Sequence, residues 1–354
     1  MSMSTLVNLI QTLDASAASA VEMHLEANQV RALSLRGAGL DTLPTAIQAL
    51  DTVEVLILDG NPLGELPAWV FKLPNLRELS AESCSLTSLP ASLGQIESLS
   101  IRGNQFETLP DAIWQTSSLR HLSVGANPLR SVSAEIGNLT NLQALYLDTS
   151  PLTAVPAEIG RLTQLKTLDL GHNQLSVLPS SLFDLDQLEI LYASDQQLTT
   201  MPAEIGQLAA LRYLNWTDNQ LDALPDSVGR LGNLQELRLY NNQLRQLPDS
   251  IGELSSLREV YLRNNPLDQL PDSVGRLERL RILDCRNCAL VALPLAIDQL
   301  RSLTDLDLRA NRLSFVPESI GSLPKLAKLD LRWNKLLFRP KWLTTLAQQS
   351  IAYL

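Results

Sequence analysis

The chain of 354 residues is short of the residue types that most catalysis needs, with three cysteines, three histidines and 5% aromatic residues. Cys84, Cys285 and Cys288 are too few for a disulfide framework, which places the protein in a reducing cytoplasm. Cys285 and Cys288 form a C-x-x-C, but without a second pair or a histidine cluster they read as structural cysteines. His24, His121 and His172 are scattered. There is no G-x-S-x-G, no phosphate-binding loop and no metal-spaced cluster. These absences exclude the common catalytic plans and predict a chain without enzymatic activity, cofactor or metal.

No apolar run is long enough to cross a bilayer, and the first 28 residues lack a basic stretch leading into an apolar core. Neither a membrane span nor a signal peptide is expected. The formal net charge of −10 argues against nucleic acid or an anionic membrane as partner. Among 28 basic residues only six are lysine, a bias that suits a bacterial source. Linkers, low-complexity tracts and long charge runs are also missing, so the chain reads as one elongated, monomeric domain.

What fills the sequence instead is one pattern. In LQELRLYNNQLRQLP, residues 234–248, apolar residues fall at Leu234, Leu237, Leu239, Leu244 and Leu247 around Asn242. The first apolar position of this motif recurs fourteen times: Val30, Val53, Leu76, Ile96, Leu119, Leu142, Leu165, Leu188, Leu211, Leu234, Leu257, Leu280, Leu303 and Leu326. The step is 23 residues everywhere except from Leu76 to Ile96, where it is 20. Such a period marks a solenoid, because one copy alone leaves both faces of its wedge in water.

Each copy ends in L-P or a close relative, from Pro44 to Pro340, with Ser133 the exception. Proline has no N–H to continue a ladder and turns the chain towards the outer side. Glycines such as Gly206 and Gly229 follow, where a tight bend is expected. The L-x-x-N position is asparagine at Asn61, Asn104, Asn127, Asn173, Asn219, Asn242, Asn265, Asn311 and Asn334. A buried amide there can satisfy backbone groups of its own and neighbouring copies. Ala38, Cys84, Ser150, Gln196 and Cys288 replace it elsewhere. Ala193 and Trp216 occupy the same core position in successive copies, which conserves volume, and Gln196 is expected to accept from the Trp216 indole.

Apolar spacing at Leu6, Leu9, Ile10 and Leu13 predicts a capping helix over residues 4–27, the core of an N-terminal cap at 1–29. A second cap is expected at 341–354, after the repeats of 30–340, with Pro340 in the first turn of its helix.

Strand residues between the leucines should point away from the core on a concave face. The early copies place small polar residues there: Ser34, Ser80, Ser100, Ser123 and Gly125. The middle copies place Tyr146, Tyr192, Tyr213, Tyr240 and Tyr261, five of the six tyrosines. Asp169, His172, Asp195, Asn215 and Arg238 lie among them, with Arg263 at their end. Tyrosine gives large contact area with few torsions to freeze. Exposed strands favour it anyway, but propensity alone would scatter tyrosines over all copies. These eleven residues are the expected partner-binding site. Further on, Arg263, Arg286, Arg309 and Arg332 form one column and Asp284, Asp307 and Asp330 the next, which reads as a self-neutralising ladder or, more sharply, a site for an acidic partner.

The 23-residue repeat, as in residues 224–244 (LPDSVGRLGNLQELRLYNNQL), resembles the leucine-rich repeat family, in its intracellular Ras-suppressor-like class. The resemblance covers about residues 30–340. Similar repeats occur in plant intracellular proteins and in the repeat domains of type III secreted bacterial effectors, and the 20-residue copy is similar to the shorter repeats of effector ubiquitin ligases. It implies an α/β fold: a right-handed horseshoe solenoid with a concave parallel sheet, a short-helical convex side and a helix at each end. For function it implies protein–protein interaction. The alternative is a secreted effector, acting in host cytosol, or the substrate-recognition part of a ubiquitin ligase whose catalytic domain lies outside this chain.

Overall fold

The computed structural model describes residues 21–26 and 29–354. The chain divides into two compact units, Met1–Gln174 and Leu175–Leu354.

In the first unit each repeat contributes a short strand: β2 (Gln29–Ser34), β3 (Val55–Ile57), β4 (Glu78–Ser80), β5 (Ser98–Ser100), β6 (His121–Ser123), β7 (Ala144–Tyr146) and β8 (Thr167–Asp169). Each pairs parallel with the next. The shortened copy keeps its register, Glu78 facing Ser98 and Ser98 facing His121, so the three missing residues come out of the return segment. A four-residue helix, α1 (Asp111–Trp114), stands in one return segment.

The second unit repeats the plan with β9 (Ile190–Tyr192), β10 (Tyr213–Asn215), β11 (Glu236–Arg238), β12 (Glu259–Tyr261), β13 (Ile282–Asp284), β14 (Asp305–Asp307) and β15 (Lys328–Asp330), again parallel. Its return segments are 3-10 turns entered from proline, such as Asp226–Arg230 after Pro225 and Asp249–Glu253 after Pro248. In the first unit Ser133 fills the proline's place, and its hydroxyl accepts from the Glu135 N–H at 3.2 Å. The core is made of the repeat leucines, with Leu145, Leu168, Leu214 and Leu237 fully buried.

The asparagine ladder forms as the sequence predicts. Asn242 Nδ2 donates to Trp216 O and Leu239 O, both at 2.9 Å, and its Oδ1 accepts from Leu221 N–H at 3.0 Å. Asn61 does the same in the first unit. Where cysteine takes the position, only the donor survives: Cys288 Sγ reaches Leu262 O at 3.2 Å, and Cys84 Sγ reaches Leu58 O at 3.2 Å. The three thiols are free and buried.

Four expectations need correction. Residues Glu22–Glu26 are not helical but form a strand, β1, antiparallel to β2. Its apolar residues, Met23 and Leu25, alternate, a spacing that serves a strand as readily as one helical turn. The predicted stripe at Leu6–Leu13 lies outside the described residues. The C-terminal cap is helical only over α2 (Lys341–Gln348), and Ala352–Tyr353 adds a strand, β16, parallel to β15.

The turn glycines serve close approach rather than a special backbone conformation. Gly206 and Gly229 are absent from the positive-φ residues, yet a Cβ there would lie 2.5 Å from Ser227 O and 2.6 Å from Ser250 O. Gln196 does not serve Trp216. Its Oε1 accepts from Leu175 N–H at 2.9 Å, and among the described residues the buried Trp216 Nε1 has no hydrogen-bond partner. Its ring is held by packing alone.

Candidate functional site

Strand pairing decides which predicted residues meet. In the second unit Tyr192 faces Asn215, Asn215 faces Arg238, and Arg238 faces Tyr261, so the four stand in one row across β9–β12. Tyr213 stands two positions before Asn215 on β10, and its ring lies 4.9 Å from that of Tyr192, tilted by 44°. The Arg238 guanidinium lies 5.6 Å from the Tyr213 ring and 5.1 Å from the Tyr261 ring. Tyr192, Tyr213, Arg238 and Tyr261 therefore form an unbroken strip of flat groups. Arg263 covers the ring of Tyr240 at 4.2 Å, in the next column.

Burial pushes the Tyr213 and Tyr261 hydroxyls well above the ordinary tyrosine range, with the neighbouring Glu236 and Glu259 adding to it. Both stay neutral at physiological pH. Tyr192, Tyr213, Tyr240 and Tyr261 are half-buried, so each ring is anchored and still partly accessible. Asn215 is buried instead, and its Oδ1 accepts from Thr217 N–H at 3.2 Å, so it floors the strip. Asp195 is exposed, in a turn residue with φ of 52°.

Tyr146, Asp169 and His172 belong to the first unit, where Tyr146 faces Asp169 across β7 and β8. Burial pushes the Asp169 carboxyl up, and its Oδ1 accepts from Gly171 N–H at 2.9 Å. His172 occupies a left-handed turn position, φ 56°. Arg102 reaches Asp148 at 2.5 Å, past the copy that carries Gly125. A Cβ at Gly125 would lie 2.5 Å from both groups, so that glycine leaves the ion pair its room.

Sequence reasoning missed Glu236 and Glu259. Glu236 accepts from Arg238 Nε at 2.5 Å, and Glu259 accepts from the Tyr261 hydroxyl at 2.7 Å. Each stands two residues before its partner, on the same strand face, and that period-two spacing was the available signal. Also missed was a row of exposed amides: Asn264 Nδ2 donates to Asn241 Oδ1 at 2.5 Å, and Asn287 Nδ2 to Asn264 Oδ1 at 3.0 Å.

The charge columns pair at their far end. Arg309 engages Asp307 and lies 3.4 Å from Asp330, while Arg332 contacts Asp330 at 2.6 Å. Burial raises the Asp330 carboxyl, but hydrogen bonds from Arg332 outweigh it and hold the pKa below the usual aspartate range. Asp284 differs: burial and the Asp307 charge push it up, and together they outweigh the hydrogen bond from Arg286 N–H at 3.1 Å and the charges of Arg286 and Arg263. A raised folded-state pKa means that ionisation opposes folding as pH climbs above the unfolded value of about 4. Asp284→Asn keeps the backbone acceptor and removes that penalty. Its unfolding midpoint should exceed that of the unmodified chain at pH 7, and thermal melts below about pH 4 should show no gain.

Among the described residues no group of three or more histidine, cysteine, aspartate or glutamate side chains could hold a metal ion, and no helix is long and apolar enough to cross a membrane.

Comparison with known proteins agrees with this architecture. A leucine-rich repeat region model matches residues 130–211 and 250–348, and a second leucine-rich repeat model matches residues 209–267. A leucine-rich repeat protein of Leptospira interrogans is 34% identical, over 88% of this chain and 79% of that one, with a TM-score of 0.83. A plant peptide hormone receptor, RGFR1, solved in complex with RGF2, is 30% identical over 83% of this chain and 46% of its own, with a TM-score of 0.63. The functional domain of InlJ from Listeria monocytogenes shares the fold at 22% identity, covering 88% of this chain and 64% of its own, with a TM-score of 0.74. A comparison with curated proteins gave no match. With fourteen sequence copies, the parallel strand ladder and these matches, the chain belongs to the leucine-rich repeat family.

Proposed function

We propose that the protein is a non-catalytic interaction module that binds a protein partner through the tyrosine-rich sheet face of its second unit. The observation that carries this reading is the strip Tyr192–Tyr213–Arg238–Tyr261, stacked at 4.9, 5.6 and 5.1 Å. Tyrosine and arginine are the residue types most enriched where truncation costs binding energy. Here they are already held in place by ring contacts and by Glu236 and Glu259, so little side-chain freedom is lost on association. Tyr240 and Arg263 extend the surface. Tyr146 and Asp169, at paired strand positions, and His172, in the turn that follows, form a smaller patch in the first unit. The plant peptide hormone receptor, solved in complex with RGF2, supports the idea that such repeats present a surface to polypeptides. A bacterial setting, inside the cell or after secretion into a host, is supported by the likeness to the Leptospira protein.

The test is capture from bacterial and from plant or animal cytosol by the unmodified chain and by Tyr192→Ala/Tyr213→Ala/Tyr240→Ala. These half-exposed side chains leave the core intact, so the variant should keep its circular dichroism spectrum. A partner held by the first and lost by the second supports the reading. Equal capture by both places the binding surface elsewhere.

A further inference from the structure

Next to the tyrosine strip the charge columns change character. Arg309 and Arg332, at the far end, are both engaged by carboxylates. Arg286 and Arg263 occupy the same column one and two repeats earlier, and among the described residues neither has an ion-pair partner. The residue two positions before Arg263 is Tyr261 rather than an aspartate. Its guanidinium carbon lies 4.2 Å from the centre of the Tyr240 ring, and among the described residues its N–H groups make no hydrogen bond, so those donors are uncommitted. At Arg286 the corresponding Asp284 accepts only the backbone N–H. Asn264 and Asn287 stand beside the two arginines with exposed amides. Asp284 feels both guanidinium charges, yet among the described residues neither arginine forms an ion pair, which stands out in a chain with ten more acidic than basic residues.

We infer that Arg263 and Arg286 form an anion subsite of the tyrosine face, and that the partner segment it takes carries Asp or Glu side chains beside an aromatic or apolar stretch. This rests on the binding face proposed above. The chemistry follows from both halves of the surface. Guanidinium edges recognise carboxylates through paired N–H donors, and the adjoining rings take apolar or aromatic groups. Adjacent strands lie about 4.8 Å apart, so the two cations serve one compact acidic stretch. A long polyanion is disfavoured by the net charge of −10.

The experiment is selection of a displayed library of random twelve-residue peptides on the immobilised full chain, on Arg263→Glu/Arg286→Glu, and on the triple tyrosine variant. Circular dichroism checks that each variant is folded. The unmodified chain should enrich peptides with Asp or Glu next to aromatic residues. Synthetic copies of the enriched peptides should bind the charge-reversed variant about 10-fold more weakly or worse, and that variant should select lysine- and arginine-bearing peptides instead. Copies made with a C-terminal amide separate side-chain carboxylates from a chain terminus, since binding that needs the free terminus overturns the assignment to Asp and Glu. A pool without acidic enrichment, an empty one included, overturns the inference, as does acidic enrichment that survives the charge reversal. Peptides that lack acidic bias but are lost in the tyrosine variant would leave the tyrosine face standing and remove only the anion subsite. Acidic peptides that need the arginines but not the tyrosines would do the reverse.

Discussion

Asn242→Leu should destabilise the protein by about 3–5 kcal/mol, because it orphans several buried backbone groups at once, each worth about 1–3 kcal/mol when left unpaired. The amide of Asn242 serves Leu221 N–H, Trp216 O and Leu239 O, all buried in the loop side of the repeats. Leucine matches the shape but offers neither donor nor acceptor. Urea unfolding gives the loss directly. Asn242→Cys should cost less, since the thiol restores one donor in the manner of Cys288 on Leu262 O. Asn334→Leu should also cost less, because its position is half-exposed and water can replace the lost amide. If all three variants were equally stable, the ladder would not be holding the loops.

The second large effect concerns a glycine. Gly229→Ala puts a Cβ 2.6 Å from Ser250 O and 2.8 Å from Ser250 Cβ, so the next repeat must move away. Overpacking typically costs about 1–3 kcal/mol. The upper end is expected here because the first obstacle is backbone, which cannot rotate aside. Gly232, three residues on, has nothing within 4 Å of an added Cβ and is absent from the positive-φ residues. Gly232→Ala should therefore be neutral or stabilising by up to about 1 kcal/mol through the unfolded state. The pair separates close approach from glycine's backbone freedom. Equal losses at both sites would return the explanation to the backbone.

These two residue types also show what the sequence discloses. The asparagines were legible because one polar residue set in an apolar period must be satisfied by its neighbours, and a periodic chain makes the neighbours periodic too. The same logic fixed the strand positions, the 20-residue step and the pairing of Arg309 and Arg332 with aspartates. The glycines were legible as turns but not in their cause, because the obstacle, Ser250 O, lies 21 residues away and appears only when repeats stack. Strand β1 departs from the expected helix because a few apolar residues without caps fit either period. Trp216 lacks the partner expected from proximity in the ladder, because the Gln196 oxygen points to Leu175 N–H, as the asparagine oxygens at that position point to the corresponding N–H.

The candidate site was legible in part. The concentration of tyrosine at the outward strand positions of the middle copies is a sequence fact, and strand pairing then brings Tyr192, Arg238 and Tyr261 into line. What the pattern could not give was rotamer choice: that Arg238 inserts between two rings, that Glu236 and Glu259 steady the strip, and that Arg263 turns onto Tyr240. Those follow from side-chain packing among groups that are all polar or aromatic, where periodicity carries no information.

The most direct test of partner binding by the tyrosine face is a photocrosslinking amino acid, p-benzoylphenylalanine, placed at Tyr213 in one protein and at Glu253 on the 3-10 side in another. Each is irradiated in the cytosol that yields a partner. An adduct at position 213 and none at 253 is the predicted result. An adduct at 253 with none at 213 would contradict the account and move the binding surface to the return segments.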